Sequence, residues 1–208
     1  AQVTAYGSVK STLAKFQTAA ASASAASQYI GKLASTSLVE TVTATADSSA
    51  AVGDYDLEVT SLAKAQSLAS SAFSATTATL GTGTLTISLG TVGYDSVGSS
   101  VTGFTQKSGT TPVSVLIDSS NNTLTGVRDA LNAASAGLNA SIVNDGSGYR
   151  LVIQSNSTGA ENAVSISVAD TGDSNSTDNA GLSQLAFNES AAHLLQTGAG
   201  TDAAIKIN

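Results

Sequence analysis

The stretch from Asn122 to Gly159 constrains the fold more than any other part of the chain, because it encodes a helix, a strand, a turn and a second strand in direct succession. Thr123 is a predicted N-cap, and Gly137 stands where a left-handed residue commonly follows a helix. Between them, apolar residues recur at the spacing of one helix face: Leu124, Val127, Leu131 and Ala134. The spacing predicts a helix of about three turns.

Two segments of alternating residues follow this helix and are separated by the run Asn144 to Gly148. Asparagine, aspartate and glycine in such a run are typical of a turn between two antiparallel strands. The sequence therefore predicts a β-hairpin, with one face formed by Leu138, Ala140, Ile142, Tyr149, Leu151 and Ile153.

A second helix is predicted between Tyr6 and Ile30, ending at Gly31, because apolar and small residues recur there at alternating spacings of three and four. The stripe is narrower than the buried face of a globular surface helix and is typical of a seam with one partner helix. The stripe continues through Ser27 to Ile30, and its predicted packing residues are Tyr6, Val9, Leu13, Phe16, Ala20 and Ala23. Two interpretations stay open: the partner helix lies beyond Asn208, or the helix lies on the β-rich part of the chain.

Runs of β-branched or alternating residues predict further strands at residues 38–45, 54–59, 84–89, 112–118, 163–169 and 203–207. In the second of these runs, Tyr55, Leu57 and Val59 are expected to face a core. Residues 61–73 fit either a helix or a strand. Glycine-rich turns are expected at residues 81–83 and 98–103, a solvated loop at residues 170–181, and a short apolar return at residues 182–195.

Composition excludes several functional classes. The chain has 208 residues, 41% of them hydrophobic, which is enough to build cores. Only 11% are charged and the net charge is −7, so the clustered basic residues that bind nucleic acid are missing. No apolar run approaches the roughly 20 residues that span a bilayer. The absence of cysteine leaves the compartment open.

The sequence offers no convincing catalytic group. His193 stands alone in an apolar segment without a nucleophile motif. Asp54, Asp56 and Glu58 could share one side of a strand, but a solvated strand face explains them better than a carboxylate pair.

The remaining polar clusters also indicate structure more than chemistry. Asp170, Asp173, Asn175 and Asp178 miss the ligand spacing of a calcium loop. The run Asn144 to Gly148 precedes a strand instead of a helix, so it lacks the helix N-terminus of a phosphate-binding loop. We therefore predict no enzyme activity, cofactor or metal.

Several segments, in order, resemble the family of flagellar filament-capping proteins, the hook-associated protein 2 family. They are AYGSVKSTLAKFQTA, GDYDLEVTSLAKAQSLASSAF, the helix-hairpin segment ending in YRLVIQSNSTG, and the closing TDAAIKIN. The resemblance implies a mainly β, α+β chain with a coiled-coil-type helix and two β-rich domains, one inserted in the other. The implied boundaries are a shaft helix in residues 1–36, an inner domain in residues 37–80 and 186–208, and an outer domain in residues 81–185. The terminal leg helices of the family have no counterpart in these residues.

The resemblance also implies a function. Members of the family form a plate at the filament tip, beneath which exported flagellin folds and is inserted. We therefore expect a homo-oligomeric ring that contacts flagellin outside the cell at the flagellum tip, exported without a cleaved signal peptide. No nucleic-acid or membrane partner is expected. The alternative is a surface adhesin that binds host mucin or carbohydrate through loops around Tyr94, Phe104 and residues 170–178.

Overall fold

The computed structural model describes residues 2–24, 31–37, 39–40, 42–95 and 100–207. The chain divides into two compact units, Ala1–Tyr55 and Asp56–Asn208.

The first unit is dominated by helix α1 (Gln2–Ala23). The Thr12 and Thr18 hydroxyls donate to the carbonyl oxygens of Ser8 and Ala14, one turn earlier, at 2.9 and 3.0 Å. Residues 25–30, into which the predicted helix extends, lie outside the described residues. The strand predicted at residues 38–45 is wrong for residues 42–45, which are irregular, while Leu38 and Thr41 are not described.

The described residues of the second unit form ten strands, one α-helix and two short 3-10 helices. Helix α2 spans Leu124–Ala133, and the 3-10 helices span Ala160–Asn162 and Gly181–Leu185. The strands are β1 (Leu57–Ser61), β2 (Ser67–Ala69), β3 (Gly83–Tyr94), β4 (Val101–Gln106), β5 (Val113–Ile117), β6 (Leu138–Asn144), β7 (Tyr149–Ser155), β8 (Ala163–Asp170), β9 (Leu195–Gly198) and β10 (Ala204–Ile207). The prediction of a mainly β, α+β fold is confirmed.

The long strand β3 organises the first sheet. Along one edge it pairs with β8, from Gly83 opposite Asp170 to Gly90 opposite Ala163. Its other edge is shared by β5, which pairs with residues 83–87, and β4, which pairs with residues 90–94. All these pairings are antiparallel, so β3 is paired on at least one edge along its whole length and on both edges at residues 83–87 and at Gly90.

The predicted helix-hairpin is present and leads into the second sheet, whose strand order is β6-β7-β2-β9. The Thr123 hydroxyl caps α2 by accepting a hydrogen bond from the Gly126 N–H at 3.1 Å. Gly137 has φ of 75°, the left-handed conformation expected after the helix. Strands β6 and β7 then pair from Leu138 opposite Ser155 to Asn144 opposite Tyr149, in the register that the alternation predicts.

The side chain of Asn132 fixes helix α2 against the edge of β6. Its amide nitrogen donates to the Ala140 carbonyl at 2.8 Å, and its amide oxygen accepts from the Ala140 N–H at 2.7 Å. Asn132 thus satisfies both backbone groups of a buried residue on an edge strand, where unpaired groups invite pairing with another chain.

The core lies between the two sheets and α2. The face of α2 that carries Leu124, Val127 and Leu131 is fully buried. It packs in one cluster with residues from both sheets and from the return segment, including Leu68, Leu85, Ile87, Leu151, Ile153, Ile166, Leu182 and Leu185. Fully burying each large side chain stabilises the fold by roughly 1.5–3 kcal/mol.

The first and last strands of this unit form a separate two-stranded ribbon. Strands β1 and β10 pair antiparallel, with Leu57 opposite Ile207 and Val59 opposite Ile205. The prediction that Tyr55 and Leu57 face a core is wrong, because their side chains are 59% and 42% exposed. A ribbon of two strands has no second layer of its own to cover its apolar face.

Of the two interpretations left open for residues 61–73, the structure has the strand, in the short β2. The expected turn at residues 98–103 is wrong at its end, where β4 begins at Val101. Strand β9, which was not predicted, begins at the last residue of the apolar return, Leu195. The division into domains at residues 80 and 185 stays a prediction, although β2 and β7, from opposite sides of residue 80, share one sheet.

Gly90 of β3 is not expected to tolerate a side chain. A Cβ atom there would stand 2.1 Å from the Thr105 carbonyl oxygen, whereas a Cβ atom at Gly103 of β4 would meet nothing within 4 Å. We expect Gly90→Ala to lower the free energy of unfolding by about 1–3 kcal/mol, through displacement of β4. Gly103→Ala, the control, should change it by less than half a kcal/mol, roughly the usual range for an exposed substitution. Urea unfolding of both variants measures this, and equal stability would contradict the close approach.

Candidate functional site

The stripe predicted on α1 is exposed to solvent along its length. The side chains of Tyr6, Val9, Leu13 and Phe16 are 76%, 66%, 65% and 71% exposed. Ala20 and Ala23, which complete the stripe, are also exposed. Soluble proteins rarely expose contiguous apolar residues of this size, so the stripe is a candidate docking surface.

The middle of this stripe forms a groove lined by Ser8, Val9, Thr12, Leu13 and Phe16. Val9, Thr12, Leu13 and Phe16 follow one another at spacings of three, one and three residues. In a coiled coil, four residues with these spacings form the hole that receives one apolar side chain of the partner helix. The helix has no acidic residue in its first turn and no basic residue in its last turn, so its dipole has no charged partner at either end. Packing against another helix is therefore its strongest available source of stability.

A cleft in the second unit collects several of the residues singled out in the sequence. It has a volume of about 350 Å³ and is lined by Tyr94, His193, Gln196, Val101, Ala192, Phe187, Leu194 and Leu195. The His193 Nε2 atom lies 3.1 Å from the Thr177 carbonyl oxygen, which is hydrogen-bond distance. Among the described residues that line the cleft, none is a serine, a threonine or a carboxylate.

The polar groups at this cleft form a hydrogen-bond network that the sequence did not reveal. The Tyr94 hydroxyl donates to the Gln196 amide oxygen, which also accepts from the Gln66 amide nitrogen at 3.1 Å. The Gln66 amide oxygen accepts from the Val164 N–H at 2.6 Å. Burial raises the pKa of Tyr94. This hydrogen-bond network links both sheets. Because its residues are far apart in sequence, no local sequence pattern predicts it.

The acidic residues before and within β1 are solvated. Asp54, Asp56 and Glu58 are all exposed, and the strand begins only at Leu57, so two of them precede it. Glu58 lies opposite Lys206 of β10. A solvated face is the interpretation that the sequence favoured.

Asp170 differs from the other acids of its loop, because it is 6% exposed and acts as a structural anchor. Its carboxylate accepts hydrogen bonds from the N–H groups of Gly172, Leu182 and Ser183 at 2.7, 2.8 and 3.2 Å. The prediction that residues 170–181 form a solvated loop is therefore wrong at its first residue. Within the described residues, no three histidine, aspartate or glutamate side chains cluster as metal ligands would.

The hairpin turn after β6 is closed by its own acid. The Asp145 carboxylate accepts from the Ser147 hydroxyl at 2.6 Å and pairs with the Arg150 guanidinium at 2.5 Å. The hydrogen bond from the Ser147 hydroxyl is the largest cause that lowers the pKa of Asp145, and the contact with Arg150 lowers it further. Together they hold this pKa well below its usual range.

Comparison with known proteins identifies the family. A family model described as the N-terminus of flagellar hook-associated protein 2 matches residues 1–66. The B-type flagellar hook-associated protein 2 of Pseudomonas aeruginosa is 36% identical over 201 residues, which cover 95% of this chain and 38% of that protein. The crystal structure of the D2-D3 domains of the flagellar cap protein FliD from Escherichia coli has a TM-score of 0.56 and 30% identity, over 77% of this chain and 73% of that one. The chain belongs to the flagellar hook-associated protein 2 family.

The resemblance read from the four sequence segments is thereby confirmed. FliD from Pseudomonas aeruginosa PAO1 gives the same TM-score of 0.56 at 34% identity, covering 76% of this chain and 65% of that one. Flagellar hook-associated protein 2 of Escherichia coli K12 is 37% identical over 172 residues, 81% of this chain and 33% of its own length. The chain thus spans between a third and two fifths of the curated family members it matches.

Within this family, the described residues offer an exposed apolar helix stripe and a β-rich unit. Among the described residues, no helix has the length and apolar character needed to cross a membrane.

Asp170 provides a test of the scaffold interpretation. We expect Asp170→Ala to lower the free energy of unfolding by at least about 2 kcal/mol, because three N–H groups, two of them on buried residues, lose their acceptor. Asp173→Ala, in the exposed part of the same loop, is the control and should cost much less. Denaturant unfolding compares the two variants, and an undiminished stability in Asp170→Ala would refute the anchoring role.

Proposed function

We propose that these residues form part of the cap of a flagellar filament, in which α1 contributes to a helical shaft and the β-rich unit contributes to the plate. The cap is a homo-oligomer at the extracellular tip, and it promotes the folding and insertion of exported flagellin. The names of the relatives support the cap assignment. The mechanism is scaffolding: rigid sheets present surfaces, and no bond is made or broken.

The observation that carries this proposal is the exposed stripe on α1, which lies within the residues that match the family's N-terminal model. A helix with four large apolar side chains more than 60% exposed needs a partner to be stable in water. We propose that residues 1–36 belong to the shaft and that the partner is another helix of the full-length protein. Tyr6, Val9, Leu13 and Phe16 would be the large contacts and Ala20 and Ala23 the close-packed ones.

The adhesin alternative gains no specific support from the structure. The Tyr94 hydroxyl, which was expected to contact a glycan, is bonded to Gln196. The Phe104 N–H donates to the Glu189 carboxylate at 2.8 Å, which ties that strand to a neighbouring loop.

Leu13→Asp in the full-length protein tests the shaft assignment. Burial of Leu13 in a helix seam is worth about 1.5–3 kcal/mol, and a charge there would also be desolvated. We expect cells with this variant to swim poorly, to release monomeric flagellin into the medium, and to yield a protein with a lower thermal midpoint. Swimming-zone diameter, flagellin in culture supernatants and circular dichroism measure these effects.

Ser11→Asp is the matched control. Ser11 is two residues from both Val9 and Leu13, which is about half a turn of helix, so it lies on the opposite face of α1. It introduces the same charge and should leave motility and stability unchanged. If both variants behaved alike, the stripe would have no special role. If deletion of the whole gene left filaments of normal length, the cap function itself would be wrong.

A further inference from the structure

The tip of the β6-β7 hairpin carries the only Asp-Gly pair in the sequence, Asp145-Gly146. Residues 144–147 are exposed. A Cβ atom at Gly146 would meet nothing within 4 Å among the described residues, so packing does not shield the backbone there. An exposed Asp-Gly turn is open to isomerisation, because the residue after the aspartate presents its backbone nitrogen without a side chain in the way.

Isomerisation at this pair would proceed through a succinimide ring. The Gly146 nitrogen bonds to Cγ of the protonated Asp145 carboxyl group, and the displaced hydroxyl leaves as water with the proton of that nitrogen. Water then opens the ring. If the new bond breaks, aspartate is restored, whereas if the original peptide bond breaks, isoaspartate is left. Water leaves once and returns once, so the product is an isomer and no other reactant is needed.

Three neighbouring side chains hold both of the groups that would react. The Asn144 amide oxygen accepts from the Gly146 N–H at 2.9 Å, so the nitrogen that would attack is already bonded to another side chain. One oxygen of the Asp145 carboxylate accepts from the Ser147 N–H at 2.9 Å and from its hydroxyl at 2.6 Å. The other oxygen pairs with the Arg150 guanidinium at 2.5 Å. All these donors favour the ionised carboxylate, whereas the reaction needs the protonated group.

Arg150 also connects the turn to the next strand of the sheet. Its Nε contacts the Asp145 carboxylate, while its Nη1 donates to the carbonyl oxygen of Ser70, directly after β2, at 2.9 Å. Arg150 itself lies on β7, which pairs with both β6 and β2. A rotation of the carboxylate towards the Gly146 nitrogen would therefore break contacts that extend into the sheet.

We propose that Asp145-Gly146 is a latent isomerisation site, kept unreactive in the folded protein by the three side chains that contact it. Isomerisation would damage the hairpin, because the Asp145 N–H donates to the Gly148 carbonyl oxygen at 3.2 Å and closes the turn. Isoaspartate adds a methylene group to the main chain at this point. The contacts thus protect the β6-β7 hairpin from a slow chemical change. This inference goes beyond the proposed cap function and does not depend on it.

The rate of isoaspartate formation at residue 145 tests the proposal. The full-length protein and a peptide of residues 143–149 are incubated at about pH 5, where an aspartate of ordinary pKa is roughly one-tenth protonated. Mass spectrometry with electron-transfer fragmentation distinguishes isoaspartate from aspartate. We expect the protein to react at least about tenfold more slowly than the peptide, because its carboxylate is held in the ionised form. Equal rates in the protein and the peptide would overturn the proposal.

Two variants of the full-length protein remove the contacts separately. Ser147→Ala takes the hydroxyl from the carboxylate, and Asn144→Ala frees the Gly146 nitrogen. Each should raise the rate at residue 145 by about threefold or more, because each removes a hydrogen bond that opposes the reaction. Circular dichroism shows whether each variant is folded, and if one is not, the other decides. If no folded variant reacted faster than the unchanged protein, the side chains would have no protective role.

Ser120→Ala is the matched control. Asp118 accepts from the Ser120 N–H at 2.8 Å and from its hydroxyl at 2.6 Å, as Asp145 does from Ser147, but Ser119 follows it instead of glycine. This variant should leave the rate at residue 145 unchanged. An equal increase in Ser120→Ala would show a general loosening of the protein and would contradict the local protection. Motility plays no part in these measurements, so their failure is distinguishable from failure of the cap proposal.

Discussion

The close approach of β4 to β3 at Gly90 is the constraint on which the arrangement of the first sheet depends. Strand β3 pairs with three other strands. Strand β8 lies along one edge, and β5 and then β4 lie along the other. At Gly90 it is bridged on both edges, to Gln106 and to Ala163, and no space remains for a side chain. The close approach at Gly90 fixes the register in which Gln106, the last residue of β4, lies opposite β3. Leu85 and Ile87, on the same strand, are consequently held in the core against α2 and the second sheet.

Three polar side chains, two of them buried, then hold segments that apolar packing alone would leave unspecified. Asn132 hydrogen-bonds both backbone groups of Ala140. Asp170 accepts hydrogen bonds from N–H groups at the start of the 3-10 helix Gly181–Leu185. Gln66 hydrogen-bonds the Val164 N–H and the Gln196 side chain. Each uses a side chain to complete a backbone that lacks a regular partner. Because an unmet buried group costs about 1–3 kcal/mol, these contacts define one arrangement of the loops among many of similar apolar burial.

The sequence predicted the elements whose signals are local. Thr123, the helical spacing after it and Gly137 stand within one short stretch, so α2 and the β6-β7 register could be read directly. Strand β4 was missed because Gly103 interrupts its pattern, and β9 because its four residues show no period. The chain from Tyr94 through Gln196 to Gln66 joins residues up to 130 positions apart, and such partners are chosen by the tertiary fold. The exposure of Leu57 was unpredictable for another reason: its alternation is that of a core strand, but in the described part of the chain its strand pairs only with β10.

The exposed apolar residues are concentrated in particular elements, and this distribution has a physical meaning. The strands between β2 and β9 bury most of their large side chains against one another, whereas α1 and the β1-β10 ribbon leave theirs in water. A unit that buries its own apolar residues can fold on its own, but an uncovered helix or ribbon gains little free energy until another segment packs on it. The folding of α1 and of the ribbon is thus coupled to what covers them. Such coupling lets the β-rich unit fold first and the covered elements become rigid only when their partners are in place.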